Sequence, residues 1–423
     1  MTSNSNSDGA NNANQFSERY LWFDTDSGTD DMTALLLLTS AINNPGLYQN
    51  SRWSLLGLST VFGNVSLTQA TTNLINCANY LKLDKTIPIY EGSARSLLFN
   101  HPINTWPGHG HNGIGGAEFS EEELSNNEIP RQVESSQHAA LALIDCIKNN
   151  PNKLDVIAVG PLTNIALAIT LFPQFPLLIR SLSIMGGTIN GRGNISPLAE
   201  FNFFKDPEAA HIVFEAFNNL KCSPILLAPI ELTEDFSFSW KEFSSLIKHE
   251  TRQAKFLQQI YDANQKWSAT FIENNKNNNF INNNKNNGTS DEKDLRELAK
   301  NFTSHDEEDE ILASHPHSVN HRMQPCDAYI VACLLEPSII QSMAKLYGKI
   351  VLTNDDLRGA CAYDWHYHNS SQRTNNNNNE SVVEEVNNHG TISIPKNVVN
   401  VHVVRTIQRD RMFKMLERSV GAQ

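Results

Sequence analysis

Short apolar segments alternate with longer amphipathic segments along most of this chain of 423 residues, and this alternation restricts the possible folds more than any other feature. The short segments are apolar throughout, without the polar residue at every second position that marks a half-exposed strand. Such strands are buried on both faces, as in a parallel sheet covered by helices. The sequence therefore predicts an α/β fold with a mostly parallel, doubly wound (Rossmann-like) central sheet and helices on both faces.

The same alternation predicts the positions of individual elements. The predicted strands are Tyr20–Asp24, Trp53–Val61, Leu154–Val159, Ser181–Met185 and Pro224–Pro229. The predicted helices are Asp31–Ala41, Leu67–Leu81, Leu162–Leu171, Pro207–Phe217 and, after the apolar segment Val398–Val404, Arg409–Arg418. Asp206 is expected to cap the helix that begins at Pro207.

Two asparagine-rich stretches interrupt the pattern. The chain has 50 asparagines, ten of them within the fourteen residues 274–287, and residues 375–379 are all asparagine. Such stretches bury no apolar surface, so we expect disordered insertions at about 268–315 and 369–390, and a disordered tail at 1–18. We predict one domain over 19–423 that contains both insertions, with about 335 residues in its folded part.

Charge, hydropathy and cysteine spacing exclude several classes of protein. The chain has 33 basic and 46 acidic residues and a net charge of −13, which argues against nucleic acid or an anionic membrane as its partner. No apolar run reaches the roughly 18 residues of a membrane span, and residues 1–18 lack the apolar segment of a secretory signal. The six cysteines show no CxxC spacing, so we expect reduced thiols and a cytoplasmic protein.

Residues 24–31, with the sequence DTDSGTDD, place four carboxylates directly after the first predicted strand. Ligands of open parallel sheets bind outside the carboxyl ends of the strands. A hard divalent cation such as Ca²⁺ or Mg²⁺ would relieve the repulsion among these carboxylates. Stabilisation of a helix N-terminus explains Asp30 and Asp31 but not Asp24 and Asp26. We therefore interpret this loop as a metal site, in which Gly28 permits a tight turn or an unusual φ.

Polar residues in other loops are candidates for ligand contacts. The segment from Met185 to Asn202 has polar residues between glycines, which suits hydrogen bonding to a polyhydroxylated ligand. Asn64 is either a ligand contact or part of an ordinary turn. His109 either binds substrate or moves protons, or does neither. Asp327 is either a helix cap or the distant carboxylate that completes the metal site.

These residues together resemble a known family. Residues 24–31 resemble the DTDPGxDD signature of the inosine/uridine-preferring nucleoside hydrolases. Further segments match that family in the same order, namely Thr60–Asn64, Gly160–Asn164, Met185–Gly187, Ala199–Asn202 and Asp206–Ala210. The resemblance runs from about residue 20 to 267 and from 321 to the end, and the asparagine-rich insertions have no counterpart in it.

The resemblance implies an N-ribohydrolase, which converts a nucleoside and water into ribose and free base, with a tightly bound Ca²⁺. The implied metal ligands are the side chains of Asp26, Asp31 and Asp327 and the main-chain carbonyl of Val159. Asp26 is also the implied base that activates water. Carboxylate and amide oxygens around the sugar would stabilise the positive charge that develops as the C–N bond breaks.

The resemblance also implies a set of substrate contacts. Asp30 and Asn64 would bind the ribose near its 2′ and 3′ hydroxyls, and Met185 would lie against the sugar. Asn194, Glu200 and Asn202 would contact the 5′ side. His109 corresponds to a histidine that lines the base pocket. Family members commonly form homodimers or homotetramers.

Two positions depart from the family pattern. Ser27 replaces the usual proline, which we expect to loosen the loop slightly. Cys326 stands where many members carry a histidine associated with protonation of the leaving base. A thiol is a weak hydrogen-bond donor with an ordinary pKa of about 8.5. We keep Cys326 as a candidate catalytic residue and name His109, His111 and Trp365 as possible substitutes, so the preferred base does not follow from the resemblance.

Two other functions remain open at this stage. Residues 24–29 faintly resemble the DxDGT motif of haloacid-dehalogenase-type phosphatases, in which Asp24 would be a phosphorylated nucleophile and residues 351–356 the later acidic motif. The departure at Cys326 also allows a non-catalytic nucleoside-binding relative. A phosphatase leaves the motifs between Met185 and Ala210 unexplained.

Overall fold

A computed structural model describes residues 16–98, 106–124, 131, 133–219, 221–270, 322–353, 356–366 and 399–421. Its main feature is an eight-stranded sheet. The strands of this sheet are β1 Ser17–Thr25, β2 Ser51–Thr60, β3 Ile89–Glu91, β4 Leu154–Ala158, β5 Ser181–Met185, β6 Ile225–Ala228, β7 Ile340–Leu346 and β10 Val401–Ile407. Their order is β3-β2-β1-β4-β5-β6-β10-β7. All described neighbours pair in parallel except β10 and β7, which are antiparallel. Strands β8 Gly348–Ile350 and β9 Cys361–Tyr363 pair in a separate antiparallel ribbon.

Helices connect most of the parallel strands. Asp206 caps α8 by accepting a hydrogen bond from the N–H of Ala209, with Pro207 in the first turn, as predicted. The helices are α1 Thr29–Asn43, α2 Leu67–Tyr80, α3 Glu121–Leu124, α4 Ala139–Asn149, α5 Thr163–Leu171, α6 Phe175–Leu178, α7 Phe201–Lys205, α8 Pro207–Ala216, α9 Ile230–Asp235, α10 Trp240–Leu246, α11 Arg252–Ile260, α12 262–270, α13 Cys326–Leu335 and α14 Arg409–Ser419.

Two hydrophobic clusters cover the faces of the sheet. In β1, Leu21 and Phe23 belong to one cluster while Trp22 belongs to the other. In β4, Ile157 and Val156 divide in the same way. Alternate side chains of a strand point to opposite faces, so both faces of the central strands are buried. The predicted doubly wound α/β fold is confirmed.

The predicted boundaries need two corrections. Residues 17 and 18 lie in β1 and not in a tail, because β1 extends to pair Ser17 with Ser51 and Glu18 with Arg52 of β2. Residues 268–270 lie in α12 and not in an insertion, and Ser268 and Ala269 are buried there. The rest of the tail to residue 15, most of the first insertion and all of the second lie outside the described residues. No helix in the described part of the chain is long and apolar enough to cross a membrane.

Candidate active site

The strand order reverses between β1 and β4, at the centre of the sheet. Ligands of doubly wound sheets bind at such a switch point, outside the carboxyl ends of the strands. A cavity of about 330 Å³ lies there. It is lined by Thr29, Asp30, Asn64, Trp106, Pro107, His109, Val159, Met185, Asn194, Ile195, Glu200, Phe201, Asn202, Ile230, Tyr261, Asn264, Gln324, Cys326 and Asp327.

Three carboxylates meet at one end of this cavity. Asp30 and Asp31 lie in the first turn of α1, and Asp327 lies in the first turn of α13. One oxygen from each can be chosen so that all three lie within 4.8 Å of one another. Asp31 is held by the hydroxyl of Thr25, and by the N–H groups of Asp26 at 3.2 Å and Gly28 at 2.8 Å. The structure thus brings the distant Asp327 to the loop that follows β1.

Asp26 lies beside this group and, like Asp31, does not itself line the cavity. Asn64, which does line it, holds the carboxylate of Asp26. The main-chain N–H of Asn64 donates to Oδ2 at 2.7 Å, and its side-chain amide donates to Oδ1 at 3.1 Å. A Cβ atom at residue 63 would lie 2.0 Å from Asp26 Oδ2, so only glycine fits there. The Gly63-Asn64 pair is therefore a site element that holds Asp26, and not only a turn.

The backbone of the loop differs from expectation at two residues. Gly28 has an ordinary extended conformation. A Cβ atom at this residue would lie 2.4 Å from Nδ2 of the Asn64 side chain, so the close approach of that side chain favours glycine here. The left-handed residue is instead Ser27, with φ of 58°, and it is fully buried. Proline, which stands here in the family pattern, holds φ near −65° and cannot adopt this conformation. The expectation that Ser27 only loosens the loop is therefore wrong, because Ser27 adopts a left-handed backbone conformation that proline cannot adopt.

Burial in a shared site raises the pKa of each carboxyl. Burial, followed by the charge of Asp31, raises the pKa of Asp26, and burial, followed by the charge of Asp30, raises that of Asp327. Burial raises the pKa of both Asp30 and Asp31 to about 6. Burial disfavours the charged form of each carboxyl, so an ionised cluster is costly at neutral pH unless a cation or a proton offsets its charge.

The donor set fits a hard divalent cation. All the clustered ligand atoms are carboxylate oxygens, which such ions prefer. Oδ1 of Asp30 is buried and accepts no hydrogen bond within the described part of the chain. Nε2 of His109 lies 3.8 Å from this oxygen, beyond hydrogen-bonding distance. A buried carboxylate oxygen without a hydrogen bond is costly, and coordination of a cation would satisfy it. The clustered oxygens come from Asp30, Asp31 and Asp327, so Asp30 joins two of the predicted ligands.

Asn202 holds another part of the cavity wall. Its amide nitrogen donates to the carbonyls of Val159 at 3.1 Å and Met185 at 3.2 Å. Val159 directly follows β4, and Met185 is the last residue of β5. Val159 and Met185 both line the cavity, as predicted. The carbonyl of Val159, a predicted metal ligand, is thus oriented by a residue that was itself predicted to contact the substrate.

Glu200 and Asn194 lie in the segment between β5 and α7, which lines the cavity. The carboxylate of Glu200 caps α7 and accepts hydrogen bonds from the N–H groups of Gly187, Asn202 and Phe203. Burial raises the pKa of Glu200 to about 7, although these hydrogen bonds lower it. Oδ1 of Asn194 accepts a hydrogen bond from the N–H of Phe201 at 2.9 Å. Both predicted contacts line the cavity, and both also shape the start of α7.

His109 and Cys326 lie at the cavity with different chemical capacities. Nδ1 of His109 accepts a hydrogen bond from the N–H of Thr29 at 3.2 Å, so Nε2 carries the proton. Burial lowers the pKa of His109 to about 4, which keeps the ring neutral. Burial raises the pKa of the Cys326 thiol well above its ordinary value, and its S–H donates to the hydroxyl of Thr233 at 3.3 Å. His109 therefore offers a neutral N–H donor, whereas the single S–H of Cys326 is directed to Thr233.

The aromatic and amide residues near His109 were not predicted from the sequence. Trp106, Tyr261, Asn264 and Gln324 line the cavity. The ring of Trp106 meets His109 and Trp267 edge-on. By contrast, the proposed substitutes His111 and Trp365 do not line the cavity, and Trp365 packs edge-on against Tyr363 and is 44% exposed.

Asp24, the nucleophile of the phosphatase alternative, is separated from the ligand space by other residues. It is fully buried, and its Oδ1 accepts hydrogen bonds from Ser59 and from Asn164 at 2.8 Å. Unlike Asn64, the partner of Asp26, neither Ser59 nor Asn164 lines the cavity. A nucleophile must be able to reach its substrate. The position of Asp24 therefore does not fit phosphoryl transfer.

Fold and cavity together define a doubly wound α/β protein with a carboxylate cluster that suits a cation beside a polyhydroxylated ligand. The profile of the family described as inosine-uridine preferring nucleoside hydrolase matches residues 21–413. The chain belongs to this family, as the sequence motifs predicted.

Individual relatives agree with this assignment. A probable uridine nucleosidase 2 of Oryza sativa subsp. japonica is 33% identical over 251 residues, which are 59% of this chain and 68% of the rice protein. The non-specific ribonucleoside hydrolase RihC of Escherichia coli O127:H6 is 37% identical over 196 residues, 46% of this chain and 58% of the bacterial protein. The matched part thus spans just over two thirds of the rice protein and less than two thirds of the bacterial protein.

Solved structures share the fold. The chain is similar to an inosine-guanosine nucleoside hydrolase with a TM-score of 0.66 and 21% identity, over 95% of this chain and 98% of the other. It is similar to a purine-preferring ribonucleoside hydrolase from Gardnerella vaginalis with a TM-score of 0.65 and 20% identity, over 95% and 98% of the two chains. These similarities show the architecture.

Proposed function

We propose that this protein hydrolyses the N-glycosidic bond of ribonucleosides to give ribose and free base. The observation that carries the proposal is the convergence of carboxylates and side-chain amides from widely separated segments of the chain on one cavity. Asp26, Asp31 and Asp327 with the Val159 carbonyl are the proposed metal ligands, and the clustering of Asp30 with two of them supports Asp30 as a further contact at the ion.

Ca²⁺ is the proposed ion, because it accepts many oxygen ligands in flexible geometry. When bound, the ion would orient the ribose hydroxyls and lower the pKa of water. The residues of the chain do the rest. Asp26 is the proposed base, since it is buried beside the cluster and its carboxylate is fixed by two hydrogen bonds from Asn64. A fixed carboxylate can take a proton from water without reorganising.

The sugar is proposed to lie between the carboxylates and the amides. Asp30 and Asn64 would hold the 2′ and 3′ hydroxyls, with Met185 against the ring, and Asn194, Glu200 and Asn202 would hold the 5′ side. As the C–N bond breaks, positive charge develops on the ribose. The surrounding negative charge and amide oxygens stabilise that charge more than they stabilise the neutral substrate.

His109 and Cys326 are the proposed contacts to the departing base. Nε2–H of His109 is the stronger donor of the two, since S–H groups donate weakly. We therefore expect His109→Ala to lower kcat at least tenfold, whereas Cys326→Ala should lower it less than threefold, which would make the thiol a minor contributor. Base release followed by chromatography measures both effects. A larger loss in Cys326→Ala than in His109→Ala would reverse this assignment.

The charge of the cavity favours uncharged nucleosides over nucleotides. Asp30, Glu200 and Asp327 line the cavity, and no described lysine or arginine does. A 5′-phosphate would enter a negative site, and juxtaposed like charges cost several kcal/mol. We expect kcat/KM for inosine or uridine to exceed that for the 5′-monophosphate by at least about 100-fold. Absence of sugar release from every nucleoside in a purine and pyrimidine panel would refute the hydrolase and favour a non-catalytic binding protein.

The cellular setting is part of the proposal. We infer action in the cytoplasm, in nucleoside catabolism and purine salvage, with no nucleic acid or membrane partner. All six cysteines are unpaired, as expected for a reducing compartment. A homodimer or homotetramer is proposed from the family resemblance, and sedimentation equilibrium of the purified protein tests it.

A further inference from the structure

The loop 187–198 carries Asn194 and Ile195 to the cavity between β5 and α7. The loop contains neither helix nor strand, and both Asn194 and Ile195 are exposed to solvent. Gly187 and Gly191 have positive φ, which gives this segment its irregular path. Such a loop cannot hold an amide at a fixed position unless other contacts anchor it.

The anchor is Glu231, in the first turn of α9. Its side chain is buried, with 2% of the residue exposed. Oε1 accepts hydrogen bonds from the main-chain N–H of Ile189 at 3.0 Å, Asn190 at 2.8 Å and Arg192 at 3.3 Å, and Oε2 accepts one from Ile189 at 2.9 Å. One ionised side chain thus binds three backbone groups of the loop, and hydrogen bonds to charged acceptors are the stronger kind.

The same short helix fastens the loop a second time. The guanidinium of Arg192 lies 2.8 Å from Oδ1 of Asp235 and 3.8 Å from Oε2 of Glu234. These contacts are half-exposed and contribute less than the buried carboxylate. Ile230, which precedes Glu231, lines the cavity itself. Helix α9 therefore contributes Ile230 to the cavity wall and also binds the loop 187–198 that carries Asn194.

We infer that Glu231 is a positioning residue for recognition of the 5′-hydroxyl of the nucleoside, an inference that rests on the proposed function. The oxygen of Asn194 accepts the N–H of Phe201, and Asn194 lines the cavity, so we assign its amide nitrogen as the donor to the 5′-hydroxyl. Glu231 fixes residues 189–192, directly before Asn194. A shift of the loop by a fraction of an ångström breaks one hydrogen bond to the sugar and leaves the reacting end untouched.

The test compares each nucleoside that the protein cleaves with its 5′-deoxy analogue. We expect wild-type kcat/KM to favour the 5′-hydroxyl at least tenfold, because removing a matched hydroxyl leaves buried polar groups unpaired. Glu231→Ala should lower this preference about tenfold, mainly through KM, and keep hydrolysis of the 5′-deoxy substrate within about threefold. Glu231→Gln should restore much of the preference, since its amide oxygen can still accept from the loop.

Arg192→Ala gives a second measurement if Glu231→Ala does not fold, and should lower the preference in the same direction but less. Glu242→Gln is the matched control, because Glu242, like Glu231, accepts a main-chain N–H near the start of a helix. Its partners Ser239 and Arg409, however, lie outside the loop 187–198 and do not line the cavity. Its preference should equal that of the wild type. Equal loss on both substrates, an unchanged preference in the folded Glu231 and Arg192 variants, or a wild-type ratio near one would overturn the inference. Failure of the wild type to cleave any nucleoside would instead refute the proposed function, and the inference with it.

Discussion

At the scale of single residues, Asp31 connects the acidic loop to the proposed ion. Its two oxygens accept hydrogen bonds from Thr25, Asp26 and Gly28, so its position is fixed before any ligand arrives. An asparagine keeps the shape but loses the charge and turns a donor toward one of these N–H groups. The residue should therefore tolerate little change.

We expect Asp31→Asn to weaken Ca²⁺ binding at least tenfold and to lower kcat/KM at least 100-fold, since ligand charge sets both. Titration calorimetry measures the first effect and base release the second. Asp145→Asn, at an exposed position of α4, is the control and should change neither. Wild-type Ca²⁺ affinity in Asp31→Asn would contradict the assigned ligand set.

Ser27 makes a second residue-scale prediction, about strain. A buried left-handed residue other than glycine stores about 1 to 3 kcal/mol. Replacement by proline, the residue of the family pattern, is incompatible with φ of 58° and removes the N–H that donates to Thr25, so it should lower the free energy of unfolding by about 3 kcal/mol or more. Ser27→Gly should stay within about 1 kcal/mol of the wild type, because relief of strain offsets added chain entropy. Chemical denaturation measures both, and a Ser27→Pro protein as stable as the wild type would show that the loop accepts a negative φ.

At the scale of elements, the C-terminal helix α14 is fastened to α10 by one ion pair. Glu242 caps α10 together with Ser239, and its two oxygens lie 2.8 and 2.7 Å from the guanidinium nitrogens of Arg409. The guanidinium of Arg409 also lies over the ring of Phe238 and donates to the carbonyl of Ser237. This pair ties the end of the chain to the helices that follow β6.

We expect Glu242→Gln to lower the free energy of unfolding by about 1 to 2 kcal/mol at pH 7. Although burial raises the pKa of Glu242, hydrogen bonds from Arg409 and Ser239 hold it below the ordinary value of 4.5. The difference from the wild type should therefore be complete above pH 4.5 and shrink as the pH falls through the lower pKa of the folded protein. Denaturant titrations from pH 7 to 3.5 measure this, with the exposed Glu250→Gln as control, and a pH-independent difference would show that the charge of Glu242 plays no part.

Element existence could be predicted where strands are buried on both faces. Ser181–Met185 was predicted to the residue. The antiparallel edge strand β7 was not, because its residues 341–343 are exposed and so carry no continuous apolar signal. Tyr261, at the end of α11, and Asn264, in α12, were missed for a different reason. Residues that line a cavity from a helix or its end follow the same pattern as residues that pack in the core.

At the scale of the whole molecule, the sheet brings together residues that are far apart in sequence. Parallel strands end at the same edge, so the loops after β1, β2, β4 and β5 meet there, and this could be predicted from the strand pattern. The proximity of Asp327, about 300 residues beyond Asp26, could not, because no local pattern encodes tertiary distance. The residues alone left Asp327 as either a helix cap or the distant carboxylate, and the family resemblance then assigned it to the ion. Glu231 escaped prediction for a related reason, since its partners are main-chain N–H groups and leave no mark in the sequence.

The most direct test of the central claim is a product balance in phosphate-free buffer with added Ca²⁺. Purified protein and nucleoside should yield ribose and free base in equal amounts, should stop doing so after removal of Ca²⁺ by a chelator, and should recover when Ca²⁺ is restored. No product, or base release that requires phosphate and gives ribose 1-phosphate, would contradict hydrolysis by this site.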